Sequence, residues 1–155
     1  MEKDNFFMQE AIKAAIEAEL LGEVPIGAIV VYEDNIIGRG YNLRETSQSS
    51  TDHAEIRAIN EACKNLGTWR LENTTIYITL EPCPMCAGAI IQSRIPRVVF
   101  GALDPKGGCA GSVHNLLNED KFNHRCEVTN GVMADECGTL LSNFFKKIRS
   151  KKSKI

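Results

Sequence analysis

Apolar positions along this chain switch between the two periods that mark helices and strands. Over residues 5–21, Phe6, Ile12, Ala15, Ile16 and Leu20 recur at mostly helical spacing. Asp4 or Asn5 stands ready to cap the start and Gly22 to end it, which predicts an amphipathic helix. The β-branched run Ile26–Tyr32, a turn at Glu33-Asp34-Asn35 and the run Ile36–Asn42 predict a β-hairpin. Residues 43–51 are polar and rich in Ser and Thr, hence a loop. A second helix is predicted over about 53–66, with Ile56, Ile59, Cys63 and Leu66 as its apolar stripe. Asp52 serves as its N-cap, Glu55 completes a capping box and Gly67 is the stop.

Thr74–Leu80 then reads as a strand, 84–94 as a helix with Pro84 in its first position, and Arg97–Ala102 as a strand. A Gly-rich loop over 104–108 and a short helix near 115–119 follow. A last strand spans 126–132, weakened by Asn130-Gly131. A final helix over 134–150 runs into the C-terminal tail. Strands interleaved with helices predict one α/β domain over 1–155, a three-layer α/β/α sandwich around a mixed sheet. The strand–helix–strand unit over 74–102 predicts a right-handed parallel crossover.

Composition narrows the class without changing the fold. A chain of 155 residues with 43% hydrophobic and 25% charged residues can bury a full core unaided. No apolar run is long enough to span a bilayer, and the start Met1-Glu2-Lys3-Asp4 is not a signal peptide. The expected setting is the cytoplasm, where thiols stay reduced, so the six cysteines are not expected to form a disulfide framework. Cys63 and Cys137, inside helical patterns, are expected as small core residues. Charge is uneven: six of the 18 Lys and Arg lie within the last ten residues, about 146–155, leaving twelve against 20 acidic residues. A basic tail on an acidic body suits a polyanionic partner, although a solvated terminus explains the same charges. Gly38-x-Gly40 lacks the third glycine and the following helix of a dinucleotide fingerprint, so no nucleotide cofactor is expected.

Two stretches carry chemistry: Asp52-His53-Ala54-Glu55 and Pro82-Cys83-Pro84-Met85-Cys86. Cys83-x-x-Cys86 sits where a strand meets a helix, whose positive N-terminal end favours thiolates. Such a pair suits either a redox site or half of a zinc site. His53, in the first turn of its own predicted helix, can supply a third ligand to a metal held between two helix N-termini. Three protein ligands would leave the fourth position open for water, as in catalytic zinc sites. Cys109, His114, His124 and Cys126 are the alternatives for a closed, structural site, but none has tight ligand spacing. Glu55 is either the back-bonding half of the capping box or a proton shuttle beside metal-activated water; the neighbouring ligand set favours the shuttle.

His53-Ala54-Glu55 together with Pro82-Cys83-Pro84-Met85-Cys86-Ala87-Gly88 resembles the zinc-dependent cytidine/deoxycytidylate deaminase superfamily. Within it, Gly22–Ala28, Asn42–Thr46, Gly67–Glu72, Thr79–Pro82, Asp104–Gly108 and Phe122–Arg125 are most similar to the tRNA-specific adenosine deaminases, across about residues 5–150. Asp52 and His114 are less typical of that pattern. The resemblance implies a cytidine deaminase-like fold with a five-stranded sheet. It also implies a homodimer that turns adenosine into inosine at the wobble position of a tRNA anticodon stem-loop. His53, Cys83 and Cys86 would bind one Zn²⁺ per subunit and Glu55 would move protons. Asn42 would read the flipped base, with Val24, Pro25 and Ala54 lining its pocket. Asp104 and Asn123 would touch neighbouring nucleotides, and the helix carrying Phe144 and Phe145 would hold the anticodon loop. Deamination of free cytidine or guanine, or a non-catalytic zinc module that binds RNA, are the competing readings.

Overall fold

A computed structural model describes residues 2–153. Its five strands are β1 (Gly27–Tyr32), β2 (Asn35–Tyr41), β3 (Thr74–Leu80), β4 (Arg97–Ala102) and β5 (Glu127–Thr129). They form one sheet in the order β2-β1-β3-β4-β5. The β1 strand is antiparallel to both β2 and β3, whereas β3, β4 and β5 run parallel, as the crossover reading requires. The helices are α1 (Glu2–Leu20), α2 (Arg44–Ser47), α3 (Ala54–Leu66), α4 (Pro84–Gln92) and α5 (Ala134–Ser153). Strand residues alternate between two cores. Ala28, Val30, Ile76, Ile78, Val98 and Phe100 pack with α3 and α4. Ile29, Val31, Tyr77 and Val99 pack with Phe7, Met8 and Ala11 of α1 and Cys137 of α5. The result is a three-layer α/β/α sandwich around a five-stranded mixed sheet.

The hairpin turn is tighter than the sequence suggests. Glu33 and Asp34 both have positive φ (50° and 63°), and Asn35 already belongs to β2. Two left-handed residues match the twist of the flanking strands. At the far edge, β5 covers three residues rather than 126–132, because Gly131 and Met133 turn the chain with positive φ. The loop expected over 43–51 contains the one-turn helix α2.

The buried face of α1 differs from the predicted stripe. Ala11, Ala14, Ala15 and Ala18 face the sheet together with Phe7 and Met8, while Phe6, Ile16 and Leu20 are exposed. The cause is close approach: a Cβ on Gly27 would collide with the α1 backbone at Ala11 and Ala15. Only small side chains fit under a helix packed that tightly. The same device seats α3. A Cβ on Gly38 or Gly40 would strike the α3 backbone, Gly40 at Ala54 itself. This brings the helix that carries His53 and Glu55 hard against β2.

Asp4 is not a cap. It lies inside α1, buried, and accepts hydrogen bonds from Tyr77 Oη at 2.8 Å and from Arg97 Nη1 and Nη2 at 2.9 and 2.8 Å. The Arg97 guanidinium, with help from the Tyr77 hydroxyl, outweighs burial and holds the Asp4 carboxyl below its ordinary 3.8. A depressed native pKa stabilises the fold above the unfolded value, and that stabilisation is lost as pH falls through the native one. Asp4→Asn is therefore expected to cost about 2 kcal/mol at neutral pH. Denaturant titrations of both proteins should show that deficit shrinking as the pH is lowered below 3.8.

Candidate active site

The two chemical stretches meet at one end of the sheet. Cys83 follows β3 as the N-cap residue of α4, with Pro84 in the first turn, and His53 is the N-cap residue of α3. Both have extended backbone and neither side chain caps its own helix. Each is therefore free to point off a helix end. Asp52, expected to cap α3, instead binds Arg57 and Ser47. Its loss of the cap position also dissolves the predicted capping box, leaving Glu55 one residue too early to reach back to the observed N-cap.

His53 Nδ1 lies 3.6 Å from Cys83 Sγ and 3.6 Å from Cys86 Sγ. The three ligand atoms fall within 4.8 Å of one another. Zinc bonds of about 2.3 Å to sulfur and about 2.0 Å to nitrogen, at tetrahedral angles, need a sulfur–nitrogen separation of about 3.5 Å. The donor set and spacing thus fit a metal ion. Among the described residues this is the single such group. His124 and Cys126 lie elsewhere, both hydrogen-bonding the carbonyl of Ile95, before β4; Cys109 is close, its N–H donating to the Pro82 carbonyl, but its thiol reaches the carbonyl of Gly107 and is not part of the ligand group. His114 is exposed on its loop.

Electrostatics divide the two thiols. Cys83 is pulled down to about 4 by hydrogen bonds from Cys86 and His53, which outweigh burial. Cys86 shifts upward, because it donates to Cys83 and is buried. His53 is raised, chiefly through its hydrogen bond with Cys83. The arrangement favours the thiolate on Cys83 over that on Cys86. Glu55 is 4% exposed, and burial raises it to about 7, with the negative Cys83 adding to the shift. A carboxyl with that pKa can both take and give a proton near neutral pH.

A pocket of about 180 Å³ opens over this centre, lined by Val24, Ile26, Asn42, Arg44, Ala54, Leu80, Glu81 and Asp104 besides His53, Glu55 and Cys83. Asn42 is 7% exposed; its Nδ2 donates to the carbonyl of Val24 and its Oδ1 accepts from the Arg44 N–H. Pro25 is buried and is not among the lining residues, where Ile26 stands instead. Phe145 lines an adjoining hollow that shares Val24, Leu80 and Asp104 with the pocket and adds Lys106 and Arg149. Asn123 is elsewhere. It lines a hollow with Asn73 and Pro96, at the starts of β3 and β4, the end opposite the metal ligands.

Two site residues have roles that sequence reasoning left out. Glu81, 2% exposed, accepts hydrogen bonds from the N–H groups of Asp104, Ala110 and Ser112 and from the Ser112 hydroxyl. Glu23, 1% exposed, accepts from the N–H groups of Glu45 and Thr46. Burial pushes both carboxyls upward, but these hydrogen bonds outweigh it and hold both below their ordinary value. Each buried carboxylate clamps one wall of the pocket. The only signal in the sequence is an acid beside an apolar strand or turn with no basic neighbour.

This fold and this ligand group define a deaminase. The model of the MafB19-like deaminase family matches residues 1–149. The tRNA-specific adenosine deaminase of Bacillus subtilis (strain 168) is 60% identical over 152 residues, covering 98% of this chain and 94% of that protein. The Haemophilus influenzae enzyme of the same name is 50% identical, over 97% and 88%. A solved structure from work on A-to-I editing by tRNA:A34 deaminases at the wobble position of transfer RNA superposes with a TM-score of 0.84. It is 40% identical, covering 88% of this chain and 99% of that one. A guanine deaminase structure from Nitrosomonas europaea shares the fold, with a TM-score of 0.72 at 24% identity. The chain belongs to the tRNA-specific adenosine deaminase family.

Proposed function

We propose that this protein hydrolytically deaminates adenosine to inosine at the wobble position of a tRNA anticodon. The observation that carries the reading is the buried Glu55 beside the His53–Cys83–Cys86 group at the floor of one pocket, in a chain 60% identical to a tRNA-specific adenosine deaminase. Zinc held by the three ligands would supply a water of lowered pKa in the pocket. Glu55 would carry both protons of this water in turn, the first to the purine ring nitrogen and the second to the departing amino nitrogen, so that the water oxygen replaces that nitrogen on the ring carbon and ammonia leaves. Asn42 has an amide fixed by Val24 and Arg44 and faces the base. Val24 and Ala54 supply apolar walls that exclude bulk water, and Asp104 faces the next nucleotide. A loop presents such a base without the cost of opening a duplex.

The substrate reading draws on charge as well. The exposed cations of α5, with Phe145 and Arg149 in the adjoining hollow, suit the backbone of an anticodon stem-loop. Lys154 and Ile155, the end of the basic tail, lie outside the described residues. A homodimer in the cytoplasm completes the proposal; exposed Trp69, Val113 and Phe122 leave apolar surface for a second copy. No helix among the described residues is long and apolar enough to cross a membrane.

Two experiments test the reading. Competition between a stem-loop bearing a wobble adenosine and free cytidine or guanine should leave the stem-loop as the substrate consumed; preferential turnover of a free base would reverse the assignment. Metal analysis should find one zinc per chain, lost in His53→Ala and Cys86→Ala and kept in Cys109→Ala, Cys126→Ala and His124→Ala. Zinc loss in any of the last three would indicate a fourth protein ligand and a closed, structural site.

A further inference from the structure

We infer that Arg44 is a phosphate-binding residue of the pocket, gripping a phosphate that flanks the target nucleoside and so restricting the site to nucleosides within a chain. The inference rests on the tRNA reading above and adds a specificity-determining residue to it.

Three observations converge on Arg44. First, it lines the same pocket as His53, Glu55 and Cys83. Second, its guanidinium is uncommitted. Of the other seven arginines six are engaged: Arg39 with Glu17, Arg57 with Asp52, Arg70 with Glu72, Arg97 with Asp4, and Arg94 and Arg125 with backbone carbonyls; the seventh, Arg149, lines the adjoining hollow and not this pocket. Among the described residues, Arg44 takes part only through its backbone. Third, its backbone is held with unusual care for a four-residue helix on the surface. The Arg44 N–H donates to Asn42 Oδ1, and the next two N–H groups donate to the buried carboxylate of Glu23.

A free cation beside a catalytic pocket, presented from a clamped segment, is suited to an anion on the substrate. Three of the acidic groups nearby are already occupied. Glu23 and Glu81 are buried and accept from backbone, and Asp104 accepts from the Lys106 and Gly107 N–H groups across the pocket. A free nucleoside or base carries no anion for Arg44 to meet. A nucleoside within an RNA carries one on each side, and guanidinium forks match phosphate oxygens in pairs. Glu23 is a positioning residue in this scheme: it acts on substrate through Arg44.

The test uses zinc-loaded enzyme and stem-loops carrying a neutral methylphosphonate immediately 5′ or 3′ of the wobble adenosine. Arg44→Ala should raise KM about fivefold, a charge-assisted bond discounted for exposure, and should flatten the salt dependence of binding by about 0.7 in log–log slope. Arg44→Lys should recover part of the loss. One of the two methylphosphonates should cost the wild type the same factor and cost Arg44→Ala nothing further. Glu23→Gln should raise KM in the same direction, and the Arg44→Ala, Glu23→Gln double variant should be no worse than the poorer single variant. Equal costs of both methylphosphonates in wild type and Arg44→Ala, or an unchanged salt slope, would overturn the inference while leaving the tRNA reading in place. A wild type inactive on every stem-loop would overturn that reading and this inference with it.

Discussion

Glu55→Ala is expected to keep its zinc and lose inosine formation by about 10²–10⁴-fold, the usual worth of a positioned acid–base group. Glu55 is not one of the three metal-ligand residues, which lie within 4.8 Å of one another without it. Burial raises the Glu55 pKa to about 7, with the negative Cys83 adding to the shift. The stability of the variant discriminates roles. A capping residue would cost about 1 kcal/mol on removal. A buried carboxyl kept for catalysis is a local liability, so the isosteric Glu55→Gln should melt no lower than the wild type. Inosine assay, zinc content and melting temperature of the two variants check all three statements. Loss of zinc from Glu55→Ala would contradict the assigned role.

Glu81→Ala should be the most destabilising single substitution near the pocket. It strands the N–H groups of Asp104, Ala110 and Ser112 and the Ser112 hydroxyl around a cavity. Unsatisfied buried donors cost about 1–3 kcal/mol each before relaxation. Allowing water to recover most of them leaves about 3 kcal/mol, or about 10 °C in melting temperature for a chain of this size. The functional effect goes beyond stability. The released loop carries Asp104, so KM for the stem-loop should rise even at temperatures where the variant is fully folded. Gly108→Ala tests the same contact from the other side, because its Cβ would run into the Glu81 carboxylate. Thermal melts alongside KM at low temperature separate the two consequences; a melting temperature near that of the wild type would show that the clamp carries little.

How much of this was legible in the sequence depends on how local each cause is. The strands, α3, α4 and the meeting of two helix N-termini follow from β-branched runs, Pro84, Gly67 and the spacing of His53, Cys83 and Cys86. Except for the meeting of His53 with the cysteines, which are 30 or more residues away, these causes act within one or two turns of chain. The buried face of α1 is not legible in its own periodicity because its cause is remote: Gly27 and the small side chains opposite it let the helix settle close, so alanines are buried and Leu20 is not. Asp4, in a helix start, resembles a cap until Tyr77 and Arg97 are brought to it across the sheet. Likewise α2 exists because Glu23, more than twenty residues away, holds its N–H groups. Cys137 is core as expected, whereas Cys63 is only half-buried at the edge of α3. Long-range clamps leave no periodic trace, and they shape the pocket walls more than its floor.

The proposed reaction is a hydrolysis at one adenosine. Its most direct measurement is mass analysis of an anticodon stem-loop with a wobble adenosine after incubation with the zinc-loaded protein, with released ammonia counted in parallel. The expected result is replacement of that amino group by oxygen, with one ammonia per inosine, and no change at adenosines elsewhere in the stem-loop. An unchanged stem-loop in the presence of bound zinc, or ammonia released from a free base instead, would contradict it.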